Sequence, residues 1–136
     1  TKEGLKAIRI LAAAGIRVTV TAIYTQMQAF LAAKSGAQYV APYINRIDNL
    51  GSDGVRTAKE IHDMFRNYGF KTEVLAASFK NSRQVITLCE YGIGATTISP
   101  DVLDLLIKND SVTAALNVFR RDFEKVCGKG KTMLDC

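Results

Sequence analysis

Polar side chains stand just after short apolar or β-branched runs at several places in the chain. They are Thr21 and Tyr24; Tyr43, Asn45, Arg46 and Asp48; Ser78 and Lys80, with Phe79 between them; and Ser99. Hydroxyls donate and accept hydrogen bonds, and guanidinium and ammonium groups hold oxyanions. Polar groups at every one of these run ends point to a ligand site there. They are also what any strand exit carries, so both readings stay open on these residues alone.

Other chemistries find no support. Gly130-Lys131-Thr132 resembles the end of a phosphate-binding P-loop, but its first glycine would fall at Lys125 and the segment follows a helix pattern, not a strand. Gly92-Ile93-Gly94 begins a dinucleotide fingerprint, yet the third glycine position is Thr97 and the segment precedes a strand. His62 is the only histidine, at the border of an apolar helix face, where a structural role outweighs a general base. One histidine precludes a multi-histidine metal site, so no metal is expected. No Cys/His or Ser/His pair is indicated at the run ends. The cysteines are Cys89, Cys127 and Cys136, an odd number with wide spacing and no CxxC. That pattern predicts reduced thiols in a cytoplasmic protein, with Cys89 as a small core residue.

The elements that must position these side chains alternate. Residues 3–14 read as a helix stopped by Gly15, 17–24 as a strand, 25–34 as a helix, and 38–44 as a strand with Pro42 near its end. Residues 45–54 read as a loop. Residues 55–68 read as a helix, with Ile61, Met64, Phe65 and Tyr68 on one face. Strands follow at 72–78 and 95–99, separated by a helix over 81–91 that carries Val85, Leu88 and Cys89 together. Ser99-Pro100-Asp101 starts another helix. A last helix, about 111–127, carries Val112, Ala115, Leu116, Phe119, Phe123 and Val126 on one stripe, and the tail 128–131 reads as flexible. Strand–helix alternation predicts an α/β fold on a parallel sheet, with chemistry at the strand ends.

Length and charge set the limits. The chain has 136 residues, 48% of them hydrophobic, enough for one globular domain. A complete (β/α)8 barrel needs roughly 250. No apolar run reaches the ~18 residues of a membrane span, and Thr1-Lys2-Glu3-Gly4 has no signal-peptide character. The net charge of +5 is dispersed and not interleaved with aromatics. That argues against a nucleic-acid groove and fits affinity for small anions.

The segments AQYVAPYINRID (37–48), VLAASFKNSRQV (74–85) and VTVTAIYTQMQAFLAAKSGA (18–37) resemble the small transaldolase and fructose-6-phosphate aldolase family. So do TKEGLKAIRILAAAGI (1–16) and FRRDFEKVCGKGKTML (119–134). The resemblance implies a TIM-type (β/α)8 barrel, of which residues 1–136 are about the C-terminal half as a single domain ending in the 111–127 helix. It implies Schiff-base chemistry: a lysine amine condenses with a ketone donor, and the C–C bond breaks or forms through an enamine. It further implies a sugar-phosphate substrate, no metal or organic cofactor, and a homo-oligomer, commonly a decamer.

Carried over residue by residue, the resemblance gives Thr21 and Tyr43 the catalytic-water and acid–base positions. Ala41 becomes a wall beside the donor, and Arg46 and Ser78 become phosphate ligands. Lys80 stands where many transaldolases have arginine, keeping the charge without the bidentate geometry. The local alternatives are a sheet residue for Thr21, a packed ring for Tyr43 and an ion pair with Asp48 for Arg46. The family's Schiff-base lysine ends a strand directly before the segment matching Thr1–Gly4; Lys2 is on the wrong side of that strand end, and Lys80 is not expected to replace it. The expectation is therefore a fructose-6-phosphate aldolase-like enzyme, since the aldolase branch has tyrosine at the Tyr43 position. The alternatives are a transaldolase, or a half-barrel that binds phosphate or joins a complementing N-terminal half without turnover.

Overall fold

A computed structural model describes residues 1–136. They form two compact units, Thr1–Leu103 and Asp104–Cys136.

In the first unit the order is α1 (Lys2–Ala13), β1 (Thr19–Ile23), α2 (Gln26–Lys34), β2 (Tyr39–Pro42), α3 (Ile44–Asn49), α4 (Gly54–Asn67), β3 (Glu73–Ala76), α5 (Ser82–Tyr91), β4 (Ala95–Thr96) and the start of α6 (Pro100–Ile107). Short polar residues start the helices. Thr1, Thr25, Asp53 and Asn81 accept from the backbone N–H groups of Gly4, Gln28, Arg56 and Gln84 at 3.0, 3.3, 2.8 and 3.0 Å. Each such cap contributes about 1 kcal/mol.

The strands form one sheet in the order β1-β2-β3-β4, every pair parallel. Alternation divides it into two faces. Val40, Val74 and Ala76 are buried on the face covered by α2 and α4. On the other face Thr19, Thr21 and Glu73 are exposed, and Tyr39 and Leu75 are half-buried. The core continues into Ile44, Ile47, Ile61 and Leu88, all fully buried. Burial of side chains of this size contributes about 1.5–3 kcal/mol each.

Several sequence expectations are corrected. Residues 44–49 are helical, although 45–54 reads as a loop. Ile44 and Ile47, one turn apart, are both driven into the core, and this packing overrides the weak local propensity of Asn45, Asp48 and Asn49. The buried face of α4 runs through Gly54, Thr57, Ala58, Ile61 and Phe65. Tyr68 lies outside it, 64% exposed, its ring stacked on Phe70. In α5 the buried residues are Gln84, Val85 and Leu88, while Cys89 is exposed. The fourth strand is two residues long, so Ser99 lies beyond it.

The second unit holds the end of α6, α7 (Asp110–Cys127) and a 3-10 turn at Met133–Asp135. No residue of α7 is buried, and its stripe of Val112, Leu116, Phe119 and Val126 lies open. The tail is folded. Gly128 and Gly130 adopt left-handed φ of 98° and 76°, and Thr132 and Asp135 cap each other. This reversal brings Cys127 and Cys136 together in a disulfide, Cα–Cα 5.2 Å, leaving Cys89 as the free thiol. The expectation of three reduced thiols fails because the glycine turns close a distance that reads as wide along the sequence.

Gly54 fixes the packing of α4 against α3. A Cβ at that position would lie 2.2 Å from the carbonyl oxygen of Ile44. Relief requires the backbone to move, so Gly54→Ala is expected to cost about 1–3 kcal/mol in urea unfolding. A wild-type midpoint would show that the two helices do not need this approach.

Candidate functional site

The strand exits are laced to one another by main-chain hydrogen bonds. Tyr43 N–H donates to the Ile23 carbonyl at 3.1 Å, and Ala77 N–H donates to the Pro42 carbonyl at 3.0 Å. Ile44 and Asn45 then donate to the carbonyls of Ala77 and Ser78 at 2.9 and 3.0 Å. The side chains that follow β1, β2 and β3 are thereby held at one end of the sheet.

A β-bulge aims Thr21. Val20 pairs with Val40 and Ile23 with Pro42, so Thr21 and Ala22 together stand opposite Ala41. Ala22 absorbs the extra residue with φ of 56°. Bulges re-aim side chains beside functional sites. Here the Thr21 hydroxyl donates to the Tyr43 phenol oxygen at 2.7 Å. The Tyr43 ring is further held by the edge of Tyr24, centroids 6.0 Å apart, and by the Arg46 guanidinium, 4.6 Å above the ring centre. Ala41 is buried between the sheet neighbours of this group.

Arg46 is not the ion-pair partner of Asp48. Both carboxylate oxygens of Asp48 are taken, Oδ1 by Gly54 N–H at 2.7 Å and Oδ2 by the Gln84 amide at 2.6 Å. The guanidinium of Arg46 is exposed and stacked on Tyr43, with its N–H edges free for a ligand. Ser78 sits in the left-handed region with φ of 62°. Such strain costs on the order of 1–3 kcal/mol in a residue other than glycine and gathers at functional sites. Lys80 is exposed and makes no ion pair. Its charge reaches Asp101, whose carboxyl is held below the usual carboxylate range. The Ser99 side chain is the largest cause, followed by the backbone N–H of Asp101 itself, with Lys80 contributing less.

The structure thus brings Thr21 and Arg46 each against Tyr43. It places Ser78 beside Asn45 through the main chain, and the charge of exposed Lys80 acts on Asp101. A cleft of about 580 Å³ lies at the opposite end of β3, lined by His62, Arg66, Lys71, Glu73 and Gly94, among others, and includes none of these residues. No group of three or more His, Cys, Asp or Glu side chains is placed to hold a metal ion. No helix is long and apolar enough to cross a membrane. Sequence reasoning missed Gln84, Gly54 and Ala22, and it named Ser78 without its positive φ. Asn81-x-x-Gln84 is a legible helix-start signal, but a strained alanine or serine leaves no mark in the sequence.

A parallel α/β sheet with its polar groups at the carboxyl ends of the strands is the arrangement of barrel-type enzymes. Solved structures agree on the fold: a mandelate oxidase superposes with a TM-score of 0.53 at 18% identity, covering 83% of this chain and 37% of that one. The chain belongs to the Transaldolase/Fructose-6-phosphate aldolase family, whose model matches residues 1–133. It is 40% identical over 129 residues to a probable transaldolase of Hydrogenobaculum sp. (strain Y04AAS1), covering 95% of this chain and 59% of that protein. Against probable transaldolases of Nitrosopumilus maritimus and Thermoplasma volcanium it is 42% identical, over 93% and 98% of this chain and 57% and 60% of theirs. The chain therefore spans about three-fifths of the length of these relatives, and its four parallel strands form an α/β sheet related to that of TIM-barrel-type enzymes.

The Thr21–Tyr43 bond is measurable in the free protein. A double-mutant cycle of Thr21→Val and Tyr43→Phe is expected to give a coupling of about 0.5 kcal/mol in unfolding free energy, the low end for an exposed hydrogen bond. Strict additivity would show that the two hydroxyls do not interact.

Proposed function

We propose that residues 1–136 are the phosphate-binding and proton-handling C-terminal half of a Schiff-base transaldolase, working as a homo-oligomer on sugar phosphates. The observation that carries this reading is the contact of Thr21, Tyr43 and Arg46 at adjacent strand exits. The names of the relatives favour transaldolase over the fructose-6-phosphate aldolase expected from Tyr43 alone.

The chemistry divides by residue. A lysine outside these residues forms the iminium with the ketose, and the iminium draws electrons as the neighbouring C–C bond breaks. Thr21 and Tyr43 hold the water that moves the proton between the sugar hydroxyl and the enzyme. Ala41 leaves room for the three-carbon donor. Arg46, with Ser78 and Lys80, binds the phosphate of the aldehyde partner, two cations and a hydroxyl around one oxyanion. In a transaldolase the enamine waits for an acceptor aldehyde; in an aldolase it is protonated to an iminium, which water hydrolyses to release dihydroxyacetone and free the lysine amine.

The phosphate site is testable in this chain. Inorganic phosphate is expected to bind, and Arg46→Ala to weaken it by about 1.5–3 kcal/mol in calorimetric titration, the range for hydrogen bonds to charged groups. Unchanged affinity would remove Arg46 from the site. The second reading, aldolase, keeps one observation in its favour, the Tyr43 phenol at hydrogen-bond distance from Thr21. A protein that also carries the lysine segment is expected to cleave fructose 6-phosphate only when an acceptor aldehyde is supplied. Acceptor-free cleavage that is abolished by Tyr43→Phe would instead establish the aldolase.

A further inference from the structure

Gln84 is a polar side chain 8% exposed, and its two ends do different work. Its Oε1 accepts from the N–H of Lys80, the residue before the Asn81 N-cap, at 3.0 Å and so closes the start of α5. Its Nε2 donates to Asp48 Oδ2 at 2.6 Å, a residue 36 positions away on α3. Helix capping does not need that second bond. The comparable glutamine at the start of α2, Gln28, turns its Oε1 to Tyr24 and Thr25, and no bond from its amide is recorded. Asp48 in turn holds the start of α4 through Gly54 N–H at 2.7 Å.

We infer that Gln84 is a positioning residue that locks the β2 exit, carrying Arg46, against the β3 exit, carrying Ser78 and Lys80. The inference rests on the phosphate reading of those three residues and adds the device that sets their separation. Arg46 lies on the same short helix as Asp48, and Lys80 is the residue whose N–H Gln84 binds. A single buried amide thus spans the two sources of positive charge. An anion held by groups from separate strand exits binds tightly only when their spacing is fixed in advance. The alternative, that Gln84 merely starts α5, predicts no effect from any substitution that keeps its acceptor.

Two substitutions separate these roles. Gln84→Glu keeps an oxygen for Lys80 N–H and so keeps the cap, but turns a carboxylate oxygen against Asp48. Asp48→Asn keeps an oxygen for Gly54 N–H, but turns an amide donor against the Gln84 amide. The double variant swaps donor and acceptor and rebuilds the bond in reverse. Inorganic phosphate titrated into the 136-residue chain is expected to bind roughly tenfold or more weakly to each single variant, as for loss of a hydrogen bond to a charged group. It is expected to bind the double variant within a factor of about two of wild type. Equal binding by all the variants overturns the inference, as does a double variant no better than the singles. If wild type binds no phosphate, the phosphate reading falls by itself. The lock is then judged by amide hydrogen exchange at Ile44 and Asn45, whose N–H groups bridge the two exits. Exchange faster in the singles and restored in the double supports the lock; unchanged exchange in the singles overturns it.

Discussion

The pairing of β2 with both its neighbours is the constraint from which the polar end of the molecule follows. A parallel strand shares its hydrogen bonds evenly on two sides, and β2 uses this to the last residue. Pro42 has no N–H to give, yet its carbonyl accepts from Ala77, and the next residue, Tyr43, donates back to Ile23. The chain leaves the sheet only after both neighbours have been engaged. Tyr43, Arg46 and Asp48 are therefore placed relative to β1 and β3 before any side chain makes a contact. The side-chain bonds refine a geometry the main chain has already limited.

Capping and burial act on that frame in different ways. Thr25, Asp53 and Asn81 start helices soon after a strand or a turn, which shortens the connections and keeps the exits close to the sheet. The apolar pair Ile44 and Ile47 pulls α3 down against the core, so Arg46 between them is turned outward. On a helix this short, burying one face fixes where the other points. The position of Arg46 over Tyr43 is in this sense a by-product of two isoleucines.

What the sequence made legible was the part governed by local chemistry. Apolar runs with β-branched residues are strands at 19–23, 39–42 and 73–76, and the capping residues mark the helix starts within a residue or two. The candidate residues Thr21, Tyr43 and Arg46 were found by their place after those runs and by resemblance, and the fold brings them together. What was hidden depends on groups distant along the chain. The bulge at Thr21–Ala22 is a matter of register with β2, which no single strand encodes. Gln84 occupies a buried place because Asp48, far away in sequence, supplies its partner; without that carboxylate a glutamine belongs on the surface. The α3 helix and the exposure of Cys89 have the same origin, packing that outweighs the local preference of a short segment.

The sheet has one face under helices and one face open to water, and Thr21, with Tyr39 and Leu75 beside it, stands on the open side. Solvent on that face fixes the dielectric environment of the charges at the strand ends. A pair of unit charges 4 Å apart is worth about 1 kcal/mol where the effective dielectric constant is about 80, and about 4 kcal/mol where it is about 20. Anything that lies over the open face and displaces its water therefore strengthens the grip of Arg46 on an anion without touching the anion at all.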